Sequence, residues 1–124
     1  MKARGFTLIE LLVVMAILAT LLAIAAPRYF EHIHRAEDAA LHETLFIVRD
    51  AIDKFLGDNG RYPNSLEELV EKRYLRNLPS DPLTRSTETW ELKPPPNPET
   101  GGRVYDLHSG APGDGRDGTP YSEW

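Results

Sequence analysis

Several residue types and patterns are missing from this chain, and their absence narrows the range of functions that it can have. Its 124 residues include no cysteine, so neither a disulfide nor a thiolate metal site is possible. The net charge is −5 and no basic stripe is present, which argues against nucleic acid as a partner. The sequence also lacks a phosphate-binding loop and a nucleophile, base and orienting group at catalytic spacing, so we do not predict an enzyme.

The longest pattern that is present is an apolar run near the N-terminus. Between Phe6 and Ala26 only Glu10 is charged. As a helix this run would reach roughly 32 Å, the thickness of a bilayer's hydrocarbon core, so it is predicted to span a membrane. A secretory signal peptide is the alternative, because Ala23 to Ala26 mimic a small-residue cleavage site, although a signal peptide has a shorter apolar region.

Glu10 is unusual in this run because it places a charged side chain in a predicted membrane-spanning helix. A charged side chain at the centre of a spanning helix costs about 2.5 to 3.5 kcal/mol, and less toward the interface, so it is expected to have a partner and a function. No Lys, Arg or His lies between Phe6 and Ala26. The partner of Glu10 is therefore predicted to come from elsewhere.

The N-terminus resembles that of type IV pilins and pseudopilins. The resemblance rests on a short basic leader ending at Gly5, the sequence Phe-Thr-Leu-Ile-Glu from Phe6 to Glu10, the long apolar run and Pro27. It implies that a prepilin peptidase cuts between Gly5 and Phe6 and methylates the new amine of Phe6. Since Phe6 and Glu10 would lie about 6 Å apart along a helix axis, a subunit displaced by that distance would pair its amine with a neighbour's Glu10.

The N-terminal region also predicts the orientation of the chain in the membrane and its location in the cell. Lys2 and Arg4 precede the apolar run, and such residues tend to stay in the cytoplasm. We therefore expect a leader at 1–5, a transmembrane and assembly helix at 6–26 and a periplasmic domain at 27–124. The resemblance implies a single-pass protein of the bacterial inner membrane that forms a homopolymeric periplasmic filament with other pseudopilins and an inner-membrane assembly platform.

Apolar residues recur at helical spacing after the membrane segment. Pro27 is expected to kink or loosen the helix, and the stretch from Gly57 to Gly60 to stop it, so residues 6–56 are predicted to form one long, bent helix. The predicted apolar face comprises Phe30, Ile33, Leu41, Leu45, Val48, Ile52 and Phe55, and the predicted opposite face Glu31, Arg35, Asp38, His42, Asp50 and Lys54. Ser65 with Glu68 fits a capping box and predicts a short second helix.

Two short strands complete the predicted fold, one within Thr87 to Leu92 and one within Arg103 to Leu107, separated by a polar loop. The fold class is α+β and type IV pilin-like. A long N-terminal α-helix, membrane-spanning in its first half, packs on a small antiparallel sheet of two or three strands that is followed by a C-terminal loop. The segment from Gly60 to Pro82 resembles the corresponding segment of major pseudopilins.

The C-terminal stretch from Tyr105 to Trp124 resembles the calcium-binding loop that closes the domain in major pseudopilins. The resemblance implies a calcium ion, which takes oxygen donors. The implied ligands are Leu107, Ser109, Asp114 and Asp117, the first two through nearby carbonyls. The family loop is longer and more acidic, so the alternative is an ordinary Asp-Gly turn loop held by packing of Tyr121 and Trp124. No metal site is predicted at His32, His34 and His42, because their spacing does not bring ligands together.

Three functions are compatible with these features. The first is a structural subunit of a type II secretion pseudopilus, polymerising through its N-terminal helix to drive protein export across the outer membrane. The others are a type IV pilin for adhesion, motility or DNA uptake, and a monomeric membrane-anchored binding module. The absence of cysteine, the Asp81-Pro82 pair and the terminal Gly-Asp loop favour the pseudopilin, since pilins often close this region with a disulfide.

Overall fold

A computed structural model describes residues 4–124 of the chain. Residues 1–3, part of the expected leader and including Lys2, lie outside the described residues. The described chain forms two compact units, one ending at His34 and one running from Arg35 to Trp124. Its helices and strands are α1 (Leu8–Asn59), α2 (Leu66–Glu71), β1 (Glu91–Lys93) and β2 (Asp106–His108), with 3-10 turns at Pro98–Thr100 and Tyr121–Glu123.

Helix α1 confirms the predicted long helix, with bounds shifted by two or three residues. It begins at Leu8, continues through Pro27 and ends at Asn59. Gly60 follows with a φ of +70° and donates its N–H to the carbonyl of Leu56 at 2.8 Å. A left-handed residue directly after the last turn is a usual helix terminator, and glycine adopts it without a Cβ penalty.

The core of the second unit is built on the predicted apolar stripe. The prediction was wrong for Phe30 and Ile33, which lie in the first unit and are 60% and 36% exposed. It was also wrong for Asp38, which is buried although it was assigned to the polar face. The buried cluster consists of Leu41, Leu45, Val48, Ala51, Ile52 and Phe55 from α1, joined by Leu66, Leu69, Trp90, Val104, Leu107 and Tyr121.

Helix α2 starts at the predicted cap. The Ser65 hydroxyl accepts the N–H of Glu68 at 3.2 Å. The Glu68 carboxylate accepts the N–H of Asn64 at 2.6 Å and two bonds from the Arg61 guanidinium, at 2.6 and 3.3 Å. The bond from Arg61 is the main cause that lowers the pKa of Glu68 below its ordinary value. The cap therefore ties the start of α2 to the loop that follows α1.

That loop is paired with a second loop at close range. Tyr62 donates its N–H to the carbonyl of Gly101 at 3.1 Å, and the buried Pro63 accepts the N–H groups of Arg103 and Val104 at 3.0 and 2.9 Å. Gly102 has a φ of +86°, and a Cβ there would meet the Tyr62 carbonyl oxygen at 2.0 Å. Only glycine allows the two backbones to approach this closely.

The sheet has two antiparallel strands, as predicted, but each is shorter and shifted toward the C-terminus. Leu92 pairs with Leu107, and Glu91 with His108. Leu107 is fully buried, whereas its partner Leu92 is 42% exposed. Trp90, just before β1, supplies the buried side chain instead, and its indole N–H donates to the carbonyl of Pro79 at 2.8 Å.

Candidate functional site

Glu10, the predicted assembly residue, makes local contacts at the start of α1. Its carboxylate accepts the N–H of Thr7 at 3.2 Å, and its own N–H donates to the Thr7 hydroxyl at 3.1 Å. This is a reciprocal capping box, which satisfies two of the donors left free at a helix N-terminus. Thr7 thus supplies a neutral hydrogen-bond partner within the chain. That Glu10 takes a charged partner from elsewhere stays a prediction.

The helix around Glu10 is apolar on all sides and exposed. Phe6 is 85% exposed, and every large apolar side chain from there to Ile24 is at least about half exposed. By length and composition α1 is long and apolar enough to cross a membrane near its N-terminal end. A helix that is hydrophobic all round needs lipid or other helices as its surroundings. Gly5, the predicted cleavage residue, is exposed beside it.

The carbonyl of one predicted calcium ligand, Leu107, and the side chain of another, Ser109, are already engaged within the protein. Leu107 lies in β2, and its carbonyl accepts a hydrogen bond from the Arg49 guanidinium at 3.1 Å. Ser109 is fully buried, donates its hydroxyl proton to the buried Asp81 carboxylate and accepts the N–H of Ala111 at 3.1 Å. Asp81 was not predicted to take part in any site, although it belongs to the Asp-Pro pair singled out in the sequence.

The other two predicted ligands lie in the exposed loop beyond. Asp114 pairs with Pro120 in an isolated antiparallel bridge, and the Asp117 carboxylate accepts the N–H of Thr119 at 2.9 Å. Within residues 4–124 no three His, Cys, Asp or Glu side chains are grouped so that they would hold a metal ion. This donor set does not fit a calcium shell of six to eight oxygens. Calcium binding stays a prediction that these contacts do not support.

The C-terminal segment, defined here as residues 106–124, is fastened to α1 by side chains. Asp38 is buried and accepts the Tyr121 hydroxyl at 2.7 Å and the N–H of Arg116 at 3.0 Å. Burial, and next the hydrogen bond to the Asp38 carboxylate, raise the pKa of Tyr121 to about 12. The neutral phenol is therefore the form that the folded state favours.

Trp124 makes the second attachment. Its ring stacks on His42, with centroids 4.1 Å apart and an angle of 17°, and meets the ring of Tyr121 edge-on at 5.1 Å. The indole N–H donates to the carbonyl of Thr119 at 3.2 Å. A Cβ on Gly115 would meet the Trp124 ring at 2.1 Å, so the loop backbone lies directly against the indole. These contacts match the predicted alternative, a turn loop packed through Tyr121 and Trp124.

Arg49 makes the third attachment and was not predicted. Its Nε donates to the Asp106 carboxylate at 2.7 Å, and its Nη2 donates to the Leu107 carbonyl at 3.1 Å and to a main-chain oxygen of Trp124 at 2.6 Å. Asp38, His42 and Arg49 lie four and seven residues apart, so they share one side of α1. That spacing groups the three residues beside the apolar stripe, but it does not show which segment covers them.

Comparison with known proteins agrees with the N-terminal pattern. A family described as a prokaryotic N-terminal methylation motif matches residues 1–26. The type II secretion system core protein G of Klebsiella pneumoniae is 32% identical over 97 residues, covering 65% of this chain and 69% of that protein. The protein of the same name from Escherichia coli is 31% identical over 97 residues, which cover 67% of that protein. This chain belongs to the type II secretion core protein G family.

Matches to pilins are shorter than those to the core protein G family. The type IV narrow pilus major component PilA5 of Thermus thermophilus is 45% identical over 51 residues, covering 41% of this chain and 44% of that protein. No solved structure matches. Family membership, together with the apolar N-terminal helix, fits a membrane-anchored subunit, and the methylation motif implies processing by a prepilin peptidase.

Proposed function

We propose that this chain is a structural subunit of a type II secretion pseudopilus, which polymerises through its N-terminal helix to drive protein export across the outer membrane. The observation that carries the proposal is the apolar surface from Phe6 to Ile24, which is exposed on every side and in which Glu10 is the one charged side chain. Lipid covers such a surface before assembly, and helices of neighbouring subunits cover it in a filament.

Processing creates the charge that assembly needs. In the proposal a prepilin peptidase cuts between Gly5 and Phe6 on the cytoplasmic side, and the freed amine of Phe6 is methylated and carries a positive charge. The domain from Pro27 onward faces the periplasm, because Lys2 and Arg4 keep the leader in the cytoplasm. The methylation motif and the core protein G relatives support this order of events.

Glu10 then exchanges a neutral hydrogen-bond donor for a positively charged one. In the uncleaved chain its carboxylate accepts the Thr7 N–H at 3.2 Å, at an exposed position. A methylated amine from a neighbour displaced by about 6 Å along the axis is a stronger donor, because its positive charge also attracts the carboxylate directly. The pair neutralises both charges inside an apolar bundle and fixes the stagger between subunits.

A type IV pilin is the second candidate, and the match to PilA5 favours it over part of the chain. The core protein G relatives align over 65% of this chain, compared with 41% for PilA5, and this supports the secretion assignment. A pilin expressed at its native level would form fibres on the cell surface, whereas a pseudopilin would stay within the cell envelope. Immunogold labelling of intact and permeabilised cells therefore separates the two.

Mass spectrometry of the protein from purified membranes tests the processing step. We expect a mature chain that begins with N-methylated Phe6. A matched variant, Gly5→Leu, keeps the apolar helix and should accumulate uncleaved. An intact Met1 start in the wild-type protein, or a cut after Ala26, would contradict the proposal.

A further inference from the structure

The C-terminal segment is held by a cation that belongs to the protein itself. The Arg49 guanidinium, on α1, contacts an oxygen of the Asp106 carboxylate, the Leu107 carbonyl and a main-chain oxygen of Trp124. These acceptors come from both ends of the segment, β2 and its last residue. We propose that Arg49 closes the C-terminal segment onto the domain, in the place of a calcium ion, and that this closure does not depend on calcium.

The chemistry of the three acceptors supports the exchange of a metal for a guanidinium. A carboxylate and main-chain carbonyl oxygens are the hard donors that calcium takes. A guanidinium offers five N–H donors in a planar fork. The side chain of a single arginine can therefore contact several such oxygens at fixed angles. Arg49 and Asp106 also form an ion pair at 2.7 Å, with side chains 38% and 27% exposed.

The same contacts exclude calcium from the predicted ligand at Leu107. Its carbonyl lies 3.1 Å from a positively charged nitrogen, and a divalent cation on that oxygen would repel the guanidinium at short range. The Ser109 hydroxyl is committed to the buried Asp81 carboxylate, so only the main-chain carbonyl of Ser109 is left as a predicted ligand. The remaining predicted ligands, Asp114 and Asp117, sit in turns of the loop, where Asp117 already accepts the N–H of Thr119.

Thermal melting of the full-length protein in detergent tests calcium dependence directly. The wild-type midpoint is measured with excess calcium chloride, with the same concentration of magnesium chloride and with a calcium chelator. We expect the three midpoints to agree within error. A midpoint that is several degrees higher in calcium than in both magnesium and chelator would overturn the proposal.

Hydrogen exchange tests whether Arg49 holds the C-terminal segment on the domain. Arg49→Gln should raise deuterium uptake in peptides that cover residues 106–124, and Arg49→Lys should give an intermediate result, because the ammonium keeps the charge but lacks the fork. The matched control is Lys54→Gln, which removes an exposed cation of the same helix whose ion pair is with its helix neighbour Asp50. Its uptake should equal that of the wild type.

The result for Arg49→Gln decides the proposal when that variant folds. Uptake in residues 106–124 that stays at the wild-type level would overturn it. If Arg49→Gln does not fold, Arg49→Lys takes its place. Deuterium uptake at the wild-type level in Arg49→Lys would likewise overturn the role assigned to the guanidinium fork. The calcium comparison on the wild-type protein needs no variant and stands in either case.

Discussion

The Asp38 carboxylate accepts a hydrogen bond from the Tyr121 hydroxyl at 2.7 Å and so joins α1 to the last turn of the chain. Both residues are less than a tenth exposed. The same carboxylate also accepts the N–H of Arg116 at 3.0 Å. One buried acceptor therefore satisfies two donors of the C-terminal segment.

Replacing Asp38 should destabilise the second unit. Asp38→Ala leaves the Tyr121 hydroxyl and the Arg116 N–H without this acceptor, which costs about 1 to 3 kcal/mol of unfolding free energy for a buried group left unsatisfied. Asp53→Ala is the matched control, because Asp53 is an exposed acid on the same helix and surface changes cost at most about 0.5 kcal/mol. Urea unfolding of the full-length protein in detergent measures the difference, and equal losses in both variants would contradict the role of Asp38.

Stability should fall at high pH because of Tyr121. Its pKa is about 12 in the folded protein, above the ordinary value of 10.0, so the folded state holds the proton more tightly than the unfolded state. The resulting stability is fully present below pH 10 and is lost as the pH rises from about 10 to about 12.

Tyr121→Phe isolates that effect. The variant has no phenol at this position, so its free energy of unfolding should fall less than that of the wild type between pH 9 and pH 11. Chemical unfolding at a series of pH values gives the two curves. Parallel curves across this range would show that the pKa of Tyr121 is not raised by folding.

Two glycines with similar backbone angles should respond differently to alanine. Gly113 has a φ of +94° and open space around its Cβ position, so Gly113→Ala should cost only the strain of the left-handed region, about 1 to 2 kcal/mol. Gly102 has a φ of +86°, but a Cβ there meets the Tyr62 carbonyl oxygen at 2.0 Å. Gly102→Ala should lose about a further 1 to 3 kcal/mol, typical of overpacking. Equal midpoints of thermal melting for the two variants would contradict the close approach of these loops.

Local patterns in the sequence were sufficient for the helices. The stripe from Leu41 to Phe55 follows from spacing alone, and the Ser65 cap follows from a four-residue pattern. Thr7 with Glu10 is the same four-residue pattern and marks the cap at the start of α1. Its detection needed no structure.

Contacts between distant segments could not be predicted in the same way. Asp38 and Arg49 are polar residues of an amphipathic helix, and whether they face water depends on which segment covers them. Their partners lie between Asp106 and Trp124, in a stretch with few strand residues and many turns, where neither period nor propensity fixes a position. The exposure of Leu92 has the same origin, since a three-residue strand at the surface has no layer over its outer face.

Secretion by cells that carry Glu10→Gln as their only copy tests the central claim most directly. Glutamine keeps the capping box with Thr7 but removes the charge that would pair with the Phe6 amine, whereas Thr7→Ala removes the cap and keeps the charge. We measure the exported protein in the medium of a deletion strain that carries each variant, and check by mass spectrometry that the variant is cut at Phe6. We expect wild type and Thr7→Ala to restore export and Glu10→Gln to remain at the level of the empty plasmid. Full export with Glu10→Gln would contradict assembly through a charged pair at this residue.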